Sequence, residues 1–270
     1  MPKHKLTVRS LFSELWQGQC EQIISCGHLI QVADEDVERV HQYRIAIRKA
    51  RSLLVFMKPL LKVAFFNQVN DQLKEFADHF AKVREWDVLL EYDRENYLKQ
   101  VEENIQLTDL LMNEQRKYRI NAYEHFDAKV IESTIQTVVK DIETKGFKHK
   151  ATEILCIPFV KKRAKILRKA IEQKEKRLKS NELKRIHSYR IANKCLRYAL
   201  ELLNPVFEDA FDKRIKRLKA KTDHLGSRCD LYVMIEDLNA LKTQNNEKMS
   251  ALNDFIKFIS SEMTKNDAKG

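Results

Sequence analysis

The sequence predicts an all-α protein of two tandem four-helix bundles, and three observations carry that expectation. Glycine and proline are scarce, 5 and 4 among 270 residues, whereas sandwiches, barrels and propellers need the tight turns those residues make. Hydrophobic residues reach 43% and charged residues 33%, a balance that suits long helices with one buried stripe and a solvated outer face. Apolar residues recur at three- and four-residue steps through almost the whole chain, the period of an amphipathic helix.

The first helical stretch is "LFSELWQGQCEQII". The second, "DVERVHQYRIAIRKARSLLVFM", follows Asp34, has Glu35 and Asp36 in its first turn and must end before Pro59, because acids favour a helix N-terminus and proline breaks the interior. "NQVNDQLKEFADHFAKVREWDVLLEYDREN" continues the period. "ETKGFKHKATE" around Gly146 is the best boundary between halves, dividing the chain into 1–145 and 146–270. Beyond it come "IPFVKKRAKILRKAIEQKEKRL", "ELKRIHSYRIANKCLRYALELL" and "FDKRIKRLKAKTDHLGSRCDLYVMIEDLNAL". The expectation is about eight long helices and no sheet.

Several function classes fall away. Gly18, Gly27, Gly146, Gly226 and Gly270 are too far apart for a phosphate loop or a dinucleotide fingerprint. The cysteines number 5, with no C-x-x-C, which argues against a disulfide framework or zinc ribbon and for a reducing cytoplasm. The start "MPKHKLTVRS" lacks the apolar core of a signal peptide, and the most apolar run, "LLVFMKPLLKVAFF", is broken by Lys58, Pro59 and Lys62. The formal net charge is +11 and the pI about 9.3; a chain this basic suits a polyanionic partner.

An internal repeat is the most informative feature. "VHQYRIAIRKARSLLVFMKPLL" from Val40 aligns without a gap to "IHSYRIANKCLRYALELLNPVF" from Ile186, matching His41 with His187, Tyr43 with Tyr189, Arg44 with Arg190, Arg51 with Arg197 and Pro59 with Pro205. After a one-residue slip, Leu73 and Lys74 meet Leu218 and Lys219, and Asp78 and His79 meet Asp223 and His224. The chain reads as one helical unit duplicated.

Within the repeat, His41, Arg44, Arg48 and Arg51 follow steps of three, four and three and share an arc of about 80° on a helix. Tyr43, Ala46, Ala50 and Leu53 take the opposite side. His187, Arg190, Lys194 and Arg197 repeat the stripe. Like charges at this spacing destabilise an isolated helix, and no carboxylate is interleaved within either stripe. The planar guanidinium fork suits phosphate, and a row of forks one turn apart suits a ligand with many phosphates. Lys74 and Lys219 stand as additional phosphate contacts. Trp16, Trp86 and Tyr198 read as core, and His79 and His224 as capping or packing residues.

The stripes, the form "H..YRIA..K.LRYALE" and the segment "DHLGSRCDLYV" resemble the CHAD family, the conserved-histidine α-helical domain, over nearly the whole chain. The resemblance implies two four-helix bundles related by a pseudo-two-fold axis. It also implies binding of inorganic polyphosphate along a basic groove or pore, with polyphosphate granules as a partner. The family's basic residues map onto the two stripes. Its turn L-G-x-x-R-D-x-D-V is degraded here: "FAKVREWDV" has Ala81 for glycine and Glu85 for the first aspartate, and Cys229 and Tyr232 replace polar and acidic positions in the second copy.

Glu38 and His41 form E-x-x-H, half of a di-iron bundle motif, but the repeat places Lys184 where the second glutamate belongs, and a dication there would be repelled. His41 as a phosphatase nucleophile lacks an acid partner in either copy. The expectation is therefore a binding protein, not an enzyme, without cofactor or metal. The alternative is non-specific binding of an RNA phosphate backbone, which shares the charge but not the Asn, Gln or stacking aromatics that base reading needs.

Overall fold

The computed structural model describes residues 6–32, 36–152, 154–178, 183–245 and 250–268. Among them are ten α-helices and no strand beyond two isolated bridges, Thr7 with Leu155 and Leu61 with Phe147. The helices are α1 (Val8–Val32), α2 (Val37–Met57), α3 (Val63–His79), α4 (Ala81–Tyr92), α5 (Ile105–Glu124), α6 (Ala128–Asp141), α7 (Cys156–Lys176), α8 (Leu183–Leu203), α9 (Asp212–Asn245) and α10 (Ser250–Ala268). The all-α class is as expected. The helix number exceeds eight partly because the long periodic run after Pro59 breaks at Phe80, a fully buried residue whose ring packs edge-on against Tyr123 at 5.6 Å. The corresponding run in the second copy is one unbroken helix, α9.

The chain forms two compact units, 1–79 with 126–222 and 80–125 with 223–270. These are not the sequential halves 1–145 and 146–270. Each unit draws helices from both halves, because the chain leaves the first unit at Phe80 and again within α9.

In the first unit α2 packs on α1, α3 and α8, α1 packs on α6, and α7 on α8. Its core holds Phe12, Trp16, Ile23, Ile30, Tyr43, Ile47, Leu53, Leu54 and Phe56, all fully buried. Phe12 stacks on Trp16 at 5.7 Å and meets Phe147 edge-on. Gly146 allows a close approach at the half boundary: a Cβ there would lie 3.0 Å from Ile142 Cγ1 and 3.1 Å from the Phe65 ring, so those side chains would have to shift. Its carbonyl accepts from Lys62 N at 2.9 Å, and Lys148 N donates to Leu60 O, tying the segment after α6 to the turn after α2.

The second unit closes over Trp86, Leu89, Leu111, Leu231, Met234, Leu238, Phe255 and Ile259. Asp87 and Arg119 form a buried ion pair at 2.8 Å, with Gln115 Nε2 also donating to Asp87 at 2.6 Å. Asp93 opens a π-helical turn, Asp93–Tyr97, and is 2% exposed.

Burial pushes the Asp93 carboxyl up to about 6; Arg94 opposes this and Glu103 adds to it. The native state then holds a proton that the unfolded chain, with its ordinary value of 3.8, has already released. Asp93 is therefore neutral in its effect on stability at low pH and destabilising as pH rises through that interval. Asp93→Asn should raise stability by about 1–3 kcal/mol at pH 8 and leave it unchanged at low pH, as read by denaturant unfolding at both values.

Candidate anion-binding site

Helix α2 begins where Asp36 caps it, its Oδ1 accepting from Glu38 N at 2.9 Å and its Oδ2 from Arg39 Nε at 3.0 Å. Asp36 is thus the N-cap, one step outside the first turn where the sequence placed it; Asp34 and Glu35 lie outside the described residues. The helix runs to Met57 and stops before Pro59, as expected. Its last carbonyls are met from another helix: Arg163 of α7 donates Nε to Phe56 O at 2.9 Å and an Nη to Val55 O at 3.0 Å. A cation at a helix C-terminus satisfies orphan carbonyls and the negative end of the helix dipole together.

Tyr43, Ala46, Ala50 and Leu53 are buried, as the opposite face should be, while His41, Arg44, Arg48 and Arg51 are half-buried. On α8, Ile186, Tyr189, Leu196 and Leu200 are buried. Arg190, Lys194 and Arg197 are half-buried and His187 is exposed. Because α2 packs on α8, the helices that carry the two stripes are direct neighbours. At their contact the Cys195 thiol is hydrogen-bonded with Ser52 and feels the charges of Arg163 and Arg51; burial nonetheless raises its pKa. Arg51 therefore lies beside the residue that follows Lys194.

The stripe residues differ in their commitments. Arg44 donates to Ala77 O near the C-terminus of α3. Arg51 Nε donates to Asn70 Oδ1 at 3.4 Å; burial lowers its pKa, against the opposing pull of Asp78, Cys195 and Asp71. Arg197 pairs with Glu201 at 3.7 Å and lies over the Tyr198 ring at 4.5 Å. The stripes are thus compensated at their C-terminal ends, by Asp71 and Asp78 from α3 and by Glu201 one turn on. Within the stripe no acid is interleaved; tertiary packing brings Asp71 and Asp78 to Arg51, and α8 itself supplies Glu201 to Arg197. Arg48 has no ion pair among the described residues. At the head of the second stripe, partial desolvation and then the charges of Arg190 and Lys194 hold His187 below the ordinary imidazole value.

The remaining candidates separate. Lys74 is exposed on α3 in a surface hollow shared with Asp71, Glu75 and Asp78, an unfavourable setting for phosphate. Lys219 is exposed on α9. Trp16, Trp86 and Tyr198 are core residues. His79 packs against Phe126 at 5.7 Å, a packing role as expected; the His224 side chain lies outside those described. Glu38, the acid of E-x-x-H, accepts a hydrogen bond from Gln42. The two segments resembling the family's turn are helical, one in α4 and one inside α9. Arg163 escaped the sequence reading: it is one of many basic residues on α7, and nothing local marks it as the partner of carbonyls more than a hundred residues away.

A family model described as the CHAD domain matches residues 16–239. The chain belongs to the CHAD domain family. The crystal structure of the CHAD domain from the plant Ricinus communis is similar at a TM-score of 0.73 and 20% identity, covering 98% of this chain and 91% of that one. PptA from Streptomyces chartreusis is similar at a TM-score of 0.74 and 12% identity, covering 97% of this chain and 96% of that one. At these identities the likeness establishes the CHAD fold. No curated protein matches the chain. No helix among the described residues is long and apolar enough to cross a membrane.

The clamp on α2 is testable. Arg163→Met keeps the aliphatic stem and removes both hydrogen bonds to α2. It should lower stability by about 1.5–3 kcal/mol, the range for hydrogen bonds made by a charged group, measured by urea unfolding.

Proposed function

We propose that this CHAD protein binds inorganic polyphosphate electrostatically through His41, Arg44, Arg48 and Arg51 on α2 and His187, Arg190, Lys194 and Arg197 on α8, acting as a binder without catalysis. The observation that carries the reading is the direct packing of α2 on α8, which makes neighbours of the two helices bearing the repeated basic rows. A linear polyanion can engage guanidinium forks one turn apart along one helix and continue onto the next. The equivalence of the rows is read as the trace of a duplication. The family resemblance implies the same ligand. All five cysteines are free, in keeping with a reducing compartment; the cytoplasm, with polyphosphate granules as partner, is the setting this reading favours.

Neutralising many phosphates releases counterions, so affinity for long chains should fall steeply with salt, by orders of magnitude between about 50 and 200 mM if roughly six to ten contacts form. Titration with polyphosphates of graded length, by calorimetry or anisotropy, checks this. Arg48→Glu and Lys194→Glu should each weaken long-chain binding at least tenfold with the helical circular dichroism spectrum unchanged. A salt-independent affinity, or reversals without effect in a folded protein, would refute the reading. RNA competing equally at matched phosphate concentration would favour the nucleic-acid alternative.

His187 supplies a pH signature. Its pKa is depressed in the free protein by partial burial and by Arg190 and Lys194, so the ring is mostly neutral near pH 7. A bound polyanion favours the protonated ring, binding takes up a proton, and affinity must rise as pH falls. Long-chain affinity should be higher at pH 6 than at pH 8, and His187→Gln, which keeps a donor but does not titrate, should flatten that dependence.

A further inference from the structure

We propose that the cleft between α7, α8 and the first turns of α9 is a second anion site, shaped for a compact polyol carrying more than one phosphate. The cleft has a volume of about 420 Å³, within the range of small-molecule sites. It is lined by five basic side chains and two carboxylates. Both carboxylates are engaged: Glu172 with Arg168 at 3.1 Å, and Glu175 with Lys221, which also donates to Tyr189 Oη at 3.1 Å. The excess positive charge comes from Lys213, Arg214 and Arg217, all exposed within little more than one turn of α9.

The second observation is Asn193, which lines the same cleft and is 0% exposed. Its Nδ2 donates to Tyr189 O at 2.8 Å, and its Oδ1 is buried without a hydrogen-bond partner among the described residues. Native structures rarely leave a buried acceptor unmet, because the desolvation is then uncompensated. A carboxamide oxygen accepts and does not donate, so its partner must bring a hydrogen. An ammonium group would meet the excess cations of the cleft. A hydroxyl beside phosphates meets no such penalty, and its phosphates pair with Arg214 and Arg217 in the two-pronged manner guanidinium allows.

The cleft is not the stripes continued. Asn193 points about 80° around α8 from the middle of the basic row. The sequence also separates the two features. The stripe recurs in both copies, whereas the cleft residues do not: in the first copy Asn193 is Ile47, Lys213 is Gln68, Arg214 is Val69, Arg217 is Gln72 and Lys221 is Phe76. The position that is apolar in the first segment is polar in the segment that also carries the arginines.

The proposal does not rest on polyphosphate binding. Its test is calorimetric titration of the full chain at low salt with fructose 1,6-bisphosphate, inositol 1,4,5-trisphosphate and, as a probe without an alcohol hydroxyl, tripolyphosphate. Each titration is run on the wild type and on Arg48→Glu with Lys194→Glu, which disables the stripes. At least one polyol should bind one site per chain, with at least tenfold preference over tripolyphosphate in the stripe variant and unchanged affinity between the two backgrounds; the tighter polyol names the class. Arg214→Ser with Arg217→Ser, both exposed and tolerant of change, should weaken polyol binding at least tenfold, and Asn193→Ile should erase the preference over tripolyphosphate. Absence of polyol binding at millimolar concentration, equal affinity for tripolyphosphate, or polyol binding lost with the stripes would overturn it.

Discussion

Burial of Val40, Tyr43, Ile47, Ala50 and Leu54 sets the rotation of α2 about its own axis, and that rotation decides where its arginines go. At about 100° per residue, a helix that hides those positions must turn residues 41, 44, 48 and 51 toward another side. Each buried large side chain is worth about 1.5–3 kcal/mol of removed apolar surface, far above the few tenths that like-charge crowding costs along a helix face. The core wins, and the basic row is carried as its consequence. Arg163 then meets the carbonyls at the end of α2 from α7, fixing the helix where α8 packs on it.

The same packing changes what the row is. As an isolated helix it is a line of like charges. In the fold, Arg44 is drawn to a carbonyl of α3, Arg51 to Asn70 near two aspartates, and Arg197 to Glu201 and a tyrosine ring. The stripe residues therefore divide between those that hold helices together and those, Arg48 foremost, whose charge is offered outward. Under the proposed reading, stability and anion binding draw on one set of side chains, and Arg48, with no ion pair among the described residues, is a better probe of binding than Arg44, which is held to α3.

Where the two copies diverge, function can diverge as well. Ile47 and Val69 are core residues of the first segment, whereas the matching positions of the second hold Asn193 and Arg214 beside a cleft. The first copy breaks its third helix at Phe80, and the second runs straight through α9. The two matching sequence segments thus carry two rows of basic residues and, on one side, a different polar environment.

The amino-acid sequence alone determined the helical class, the end of α2 before Pro59, the buried side of α2 with Tyr43 and Leu53, and the family, because each is written in local spacing and residue type: period, proline geometry and a motif of about a dozen residues. Tertiary structure alone decided the rest. It joined helices from both sequence halves into each compact unit, set Asp71 and Asp78 against Arg51, gave Lys74 its acidic surroundings, and brought Arg163 to α2. These are contacts between residues far apart in the chain, and their partners are chosen by packing complementarity and the saturation of buried polar groups, quantities that exist only once the helices have met.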